Sequence, residues 1–196
     1  MSVRAFLAVP IVPPALEPFA ALRERLIAGV DAVRWAPPES PHITLHFFGA
    51  LDDDSARLAL EALRPALAEQ TPVRLRLRGL GAFPSARHPR VLWCGVGGDL
   101  VALHALAEAC RAALGAAGFA VEARPWHPHC TVGRPRDPWP EEALQNWLAL
   151  AREEPSTPPF IADHAVLYES VRGSRGVSHL PRTALPIGGR HRVATG

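Results

Sequence analysis

The sequence contains no lysine; all 21 of its basic residues are arginine. Genomic base composition is a sufficient cause, but the consequence is chemical. A lysyl-nucleotide intermediate, a Schiff base and a phosphate-binding-loop lysine are all excluded. Cysteine is scarce as well. Cys94, Cys110 and Cys130 are an odd number without paired spacing, which argues against a disulfide framework and for a reducing compartment. Long hydrophobic runs are missing too: the apolar stretch from Ala5 to Val12 is interrupted by Pro10 and followed by Pro13 and Pro14. It is too short and broken for a membrane span and lacks a signal-peptide cleavage region. No membrane partner and a cytoplasmic location are therefore expected. The formal charge of +2 does not by itself argue for a nucleic-acid partner.

What is present is an ordinary globular composition, 48% hydrophobic over 196 residues, enough for a substantial core. Val3 to Ile11 reads as a buried strand. Leu16, Phe19, Leu22, Leu26 and Ile27 follow helical spacing, with Gly29 at the end. A second helix starts at Asp52 to Ser55, and Pro65 is expected to kink it or end it early. Val73 to Leu80 alternates strictly, with Arg74, Arg76 and Arg78 on one face. That pattern fits the solvated face of a half-buried strand or a stripe for RNA phosphates. Val91 to Val96 is a further strand, and a helix follows with Leu103, Leu106, Cys110 and Leu114 in its stripe. A short strand is expected around Phe119 to Glu122, a helix start at Asp137 to Pro140, and two strands around the loop Arg172 to Gly176.

Strands and helices alternate in both halves, which predicts an α/β (α+β) class. The expected arrangement is a bilobal pseudo-two-fold duplication, each lobe an antiparallel-rich sheet with outer helices, around a central cleft. Residues 1–187 are read as one such domain and 188–196 as a loose tail.

Each half carries one copy of a short motif. Pro41-His42-Ile43-Thr44-Leu45 recurs as Pro128-His129-Cys130-Thr131-Val132: proline, histidine, apolar, threonine, apolar. Both copies are short and largely β-branched, which favours strands. With a side-chain period of two, His42 and Thr44 share one face, as do His129 and Thr131. Pseudo-symmetry would bring the two faces together. Two opposed imidazoles can then divide acid and base work, and two hydroxyls can donate to one oxyanion. Such a set suits in-line attack at phosphorus. A histidine taken singly on a strand is more often a satisfied structural or surface residue; the paired repetition is what points to a site. Two alternatives remain: a metal-dependent phosphoesterase using His127-x-His129, and a non-catalytic nucleotide- or RNA-binding module.

The repeat and its flanks resemble the two-histidine phosphoesterases, in particular the RNA 2',3'-cyclic phosphodiesterase (2'-5' RNA ligase) family. The carrying stretches are Pro41 to Gly49, Gly81-Ala82-Phe83-Pro84, Arg90-Val91-Leu92-Trp93, Trp126 to Arg134, and Leu167-Tyr168-Glu169-Ser170. The resemblance implies hydrolysis of an RNA 2',3'-cyclic phosphate to a 2'-phosphate without metal or other cofactor. With an RNA 5'-hydroxyl as attacker, the same step makes a 2'-5' linkage without ATP. It implies His42 as proton donor and His129 as acceptor, roles the near-symmetric motifs do not assign by themselves. The implied partners are RNA ends bearing a cyclic phosphate, tRNA fragments among them, and the implied state is a monomer. Arg134 matches a family arginine, although simple alternation points it away from His129 unless a strand end or bulge turns it inward. His46, where many relatives carry lysine, shares the His42 face by strand period and is a candidate phosphate contact. Phe48 is a candidate base-stacking residue; Trp93 fits either stacking or core packing.

Overall fold

The structure is a computed structural model that describes residues 2–136, 138–173 and 176–189. Its elements in chain order are β1 (Val3–Pro10), α1 (Leu16–Gly29), β2 (Val33–Trp35), β3 (His42–Leu51), α2 (Asp53–Ala68), β4 (Val73–Phe83), β5 (Val91–Gly98), α3 (Leu100–Ala116), β6 (His129–Pro135), α4 (Glu141–Arg152), β7 (Phe160–Ala162), β8 (His164–Gly173) and β9 (Gly176–Pro186). The expected mixed class is present, as antiparallel strands and four helices. No helix is long and apolar enough to cross a membrane among the described residues.

The two expected halves are continuous through hydrogen bonding, four strands of the path on each side of the single pair Ile43↔Cys130. All nine strands belong to one sheet, in the order β7-β4-β5-β6-β3-β1-β8-β9, with β2 added along β6. The duplication survives as topology. β1-α1-β3-α2 in one half matches β5-α3-β6-α4 in the other, and each motif strand pairs antiparallel with the strand that precedes its helix. The two motif strands meet at the centre of the sheet, joined by the pair Ile43↔Cys130.

One face of this sheet carries the helices. Leu7, Val9, Ile43, Leu45, Leu75, Leu77, Leu92, Cys94, Cys130 and Val132 share a core with Phe19, Leu26, Leu63, Leu106 and Trp147 from the four helices. Alternation sends the remaining strand side chains to the opposite, helix-free face. There Phe6, Ala8, Val166 and Tyr168 form a separate small cluster.

Capping follows composition: Asp52 and Asp99 accept from the backbone N–H of Ser55 and Ala102, satisfying donors that a helix start leaves open. Pro65 does not end α2, which continues to Ala68. The proline falls in the last turn, where Leu63 and Leu67, both fully buried, hold the backbone in place by packing. The strand expected at Phe119 to Glu122 is absent; that stretch is irregular, with Phe119 packed against Phe48. Helix α4 begins at Glu141; Asp137, part of its expected start, lies outside the described residues. So do residues 174–175 of the expected loop and 190–196 of the expected tail.

Candidate active site

Ile43 and Cys130 are fully buried, and their pairing anchors the backs of both motifs in the core. Continuing that antiparallel register by one residue each way sets His42 beside Thr131 and Thr44 beside His129. The histidines are thus diagonal neighbours, about 7–8 Å apart at the backbone, each flanked by the other strand's threonine. The sheet brings all four expected residues together on its helix-free face. They meet where the two halves of the sheet join at the pair Ile43↔Cys130.

The two imidazoles are held in the same way. Nδ1 of His42 lies 2.7 Å from the carbonyl of Ser40, and Nδ1 of His129 lies 2.7 Å from the carbonyl of His127. A carbonyl only accepts, so each Nδ1 must carry a proton. In the neutral ring this leaves Nε2 with the free lone pair, available to give or take a proton. The prolines between, Pro41 and Pro128, explain the repetition, because each biases the preceding residue to extended backbone and delivers its carbonyl to the ring.

The surroundings of the two rings differ. His42 sits among Phe6, Tyr168 and His179, with ring centroids 4.7, 5.8 and 5.3 Å away. Burial in this aromatic cage pushes its pKa down to about 4, against the Ser40 bond that raises it; the neighbouring His179 and His129 lower it further. His129 is bordered by Phe83 at 5.1 Å and Trp93 at 6.4 Å. Its pKa is also lowered, first by burial, against the raising bond to His127, and then by the positive charge of Arg134 and by His127. Trp93 is a wall of the site as well as a packed residue: a Cβ on Gly81 would collide with its ring, so the indole lies flat on that glycine.

Two β-bulges decide the outer contacts. In β3 the register against β1 shifts between Ala8↔Thr44 and Leu7↔His46, so Leu45 and His46 together oppose Leu7. Alternation is thereby reset. His46 does not stay with His42; its ring lies 4.6 Å from Phe48, which packs on Phe119 and borders the helix-side core. The expected placement of His46 and Phe48 on the site face is therefore corrected. The residue brought there is Phe47, 67% exposed and 5.9 Å from Phe6.

The second copy carries the same device. Trp93 pairs with Thr131 but Leu92 with Gly133, so Val132 and Gly133 oppose one residue. The reset turns Arg134 to the face of His129, where its charge acts on that ring. Gly133 is required here. A Cβ would stand 2.5 Å from Val33 Cγ1 and 3.1 Å from Trp35 Cε3 on β2. Strand β2 also sets Arg34 directly opposite Arg134. Neither arginine makes an ion pair among the described residues, and like charges so placed repel unless an anion joins them.

Sequence reasoning missed Phe47, Arg34 and His179. The internal repeat held a signal for the first, since Phe47 stands at the position of Arg134 in the aligned motifs. His179 comes from β9, and nothing local marks it. Among the described residues no group of three or more His, Cys, Asp and Glu side chains converges as a metal site would need.

Residues 12–174 match the sequence model of the 2'-5' RNA ligase superfamily. The chain is 36% identical over 115 residues to a protein of Aeropyrum pernix named RNA 2',3'-cyclic phosphodiesterase, covering 59% of this chain and 64% of that one. It is 33% identical over 138 residues to a protein of the same name from Methanothermobacter thermautotrophicus, covering 70% and 74%. The first of these stretches spans just under two thirds of its relative's length. Among solved structures, TT0787 of Thermus thermophilus superposes with a TM-score of 0.74 at 25% identity, over 96% of this chain and all of that one. E. coli LigT complexed with 3'-AMP gives 0.71 at 21% identity, over 95% and 99%, and shares the fold. With the family matched across most of its length, the chain belongs to the 2'-5' RNA ligase superfamily.

Proposed function

We propose that this protein hydrolyses RNA 2',3'-cyclic phosphates to 2'-phosphates by paired histidine acid–base catalysis. The observation that carries the reading is the diagonal pair His42 and His129, each fixed through Nδ1 and each beside a threonine of the opposite strand. The matched relatives that bear the cyclic phosphodiesterase name support the substrate class. In the step, Nε2 of His129 takes a proton from water as its oxygen attacks phosphorus. The P–O3' bond breaks, and protonated His42 gives its Nε2 proton to O3'. One water is consumed, leaving a 2'-phosphate and a 3'-hydroxyl. Thr44 and Thr131 donate to the non-bridging oxygens, where charge grows. Arg134, with Arg34 beside it, attracts the phosphate anion, and Phe47 offers its exposed ring to the terminal base. Both rings are neutral at neutral pH before substrate arrives, since both pKa values are lowered; the phosphate anion favours the cationic ring the step needs.

With an RNA 5'-hydroxyl in place of water the same proton transfers form a 2'-5' linkage, and ligation is the minor outcome wherever water is in excess. Three free, buried cysteines support a reducing, cytoplasmic setting. We take the enzyme to act as a monomer on cyclic-phosphate RNA ends, tRNA fragments included. The test is turnover of a cyclic-phosphate RNA with and without chelator. His42→Ala and His129→Ala are each expected to lose at least about a thousandfold in kcat while retaining the fold. Wild-type turnover in either variant, or loss with chelator and recovery with zinc, would overturn the mechanism.

A further inference from the structure

The proposed reaction gives the arginine stripe of β4 no role, yet the fold gives it a position. Val73, Leu75 and Leu77 are buried in the helix-side core, so Arg74, Arg76 and Arg78 stand exposed on the helix-free face, the face of the two histidines. Strand β5 lies between them and β6. On the shared face β5 presents Gly95, paired with His129, and Gly97, paired with Arg76. A row therefore runs from Arg78 across Gly95 to His129, two strand spacings or about 10 Å. Beside it, the side chain of Arg76 leans over β5: a Cβ on Gly97 would stand 3.6 Å from Arg76 Cγ and 3.7 Å from its Nε. Strand β5 itself thus adds no side chain between the catalytic row and the arginines: its glycine backbone floors a trough walled by Trp93, whose Cζ3 would stand 3.4 Å from a Cβ on Gly95, and by the side chain of Arg76 over Gly97.

Charge distinguishes this stripe from an ordinary solvated strand face. Arg78 has a carboxylate partner, Glu154, at 3.4 Å. Arg74 and Arg76 make no ion pair among the described residues. Three like charges at alternate positions, about 6.6 Å apart, repel one another and match the repeat of phosphates along an extended single strand. A cyclic phosphate ends its RNA at the 3' side, so every other nucleotide must leave the site in the 5' direction.

We infer that the trough over Gly95 and Gly97 carries the single-stranded RNA upstream of the cyclic phosphate, with its phosphates on Arg74, Arg76 and Arg78. This rests on the proposed activity for its direction. The arginines meet backbone phosphates, so the path confers preference for length and not for sequence.

The experiment compares wild type with Arg74→Gln/Arg76→Gln on two substrates, 2',3'-cyclic AMP and a five-nucleotide RNA ending in a 2',3'-cyclic phosphate, across a salt series. The double variant is expected to lose on the order of tenfold in kcat/KM on the pentamer, through KM, and nothing on the mononucleotide. Its log–log salt slope on the pentamer should fall by about 1.4, roughly 0.7 for each phosphate no longer neutralised. An unchanged pentamer value, or an equal loss on both substrates, overturns the path. A second arm measures fluorescence anisotropy of a labelled pentamer with an ordinary 3'-hydroxyl. If wild type hydrolyses neither substrate, the proposed activity fails, while this arm still decides the stripe. Weaker binding by the double variant supports it, and equal binding overturns it.

Discussion

The aromatic cage around His42 makes acid stability a direct measure of the site. An imidazole titrates near 6.5 in the unfolded chain, and the His42 ring is pushed down to about 4 in the fold. Below 6.5 the unfolded state binds the proton more readily, so acid favours unfolding. The native state is unpenalised above about pH 6.5, and stability is lost as pH falls from there through about 4. Linkage between those two values gives about 2 kcal/mol lost by pH 5 and about 3 kcal/mol by pH 4 from this one group. His42→Gln removes the titration while keeping a polar side chain in the cage. Urea unfolding followed by tryptophan fluorescence at pH 7 and pH 5, for both proteins, isolates the effect of this ring. Wild type should lose about 2 kcal/mol more than the variant between the two pH values. Equal losses would mean that His42 is as well solvated in the fold as in the unfolded chain, and the account of the cage would fail. Because His129 is lowered as well, the same reasoning puts the kcat/KM optimum for cyclic-phosphate hydrolysis on the acid side of 6.5.

The remaining expectations concern the bulges and the third histidine. Phe47→Ala should raise KM for a cyclic-phosphate nucleotide about tenfold, whereas His46→Ala should leave it within about twofold; steady-state kinetics with the reverse ranking would refute the reset of alternation. Gly133→Ala sets a methyl group 2.5 Å from Val33 and is expected to cost about 1–3 kcal/mol in urea unfolding. It should also raise KM by re-aiming Arg134, and an unchanged KM would separate that aim from the bulge. His179→Ala removes both charge and burial from His42, so the kcat/KM optimum should move to higher pH; a fixed optimum would show that the two rings do not communicate.

The helices and most strands were legible because their signals are local. A stripe such as Leu103, Leu106, Cys110 and Leu114, or the alternation from Val73 to Leu77, repeats within a few residues and needs no partner. The expected strand at Phe119 to Glu122 failed for the converse reason: local apolarity marked burial, and burial is met there by packing on Phe48 without pairing. The repeat implies two halves, but a repeat does not say whether those halves share hydrogen bonds. The pair Ile43↔Cys130 does say so, and it joins them into one sheet.

The same division runs through the site. The repeated proline–histidine–x–threonine pattern determined by itself which side chains share a face, because a period of two places each histidine beside its threonine whatever the rest of the chain does. Only the tertiary structure decided what surrounds them. A bulge belongs to a pair of strands and not to one, so Leu7 and Leu92 on the neighbouring strands, with β2 pressed against Gly133, determine that Phe47 and Arg134 face the histidines while His46 turns away.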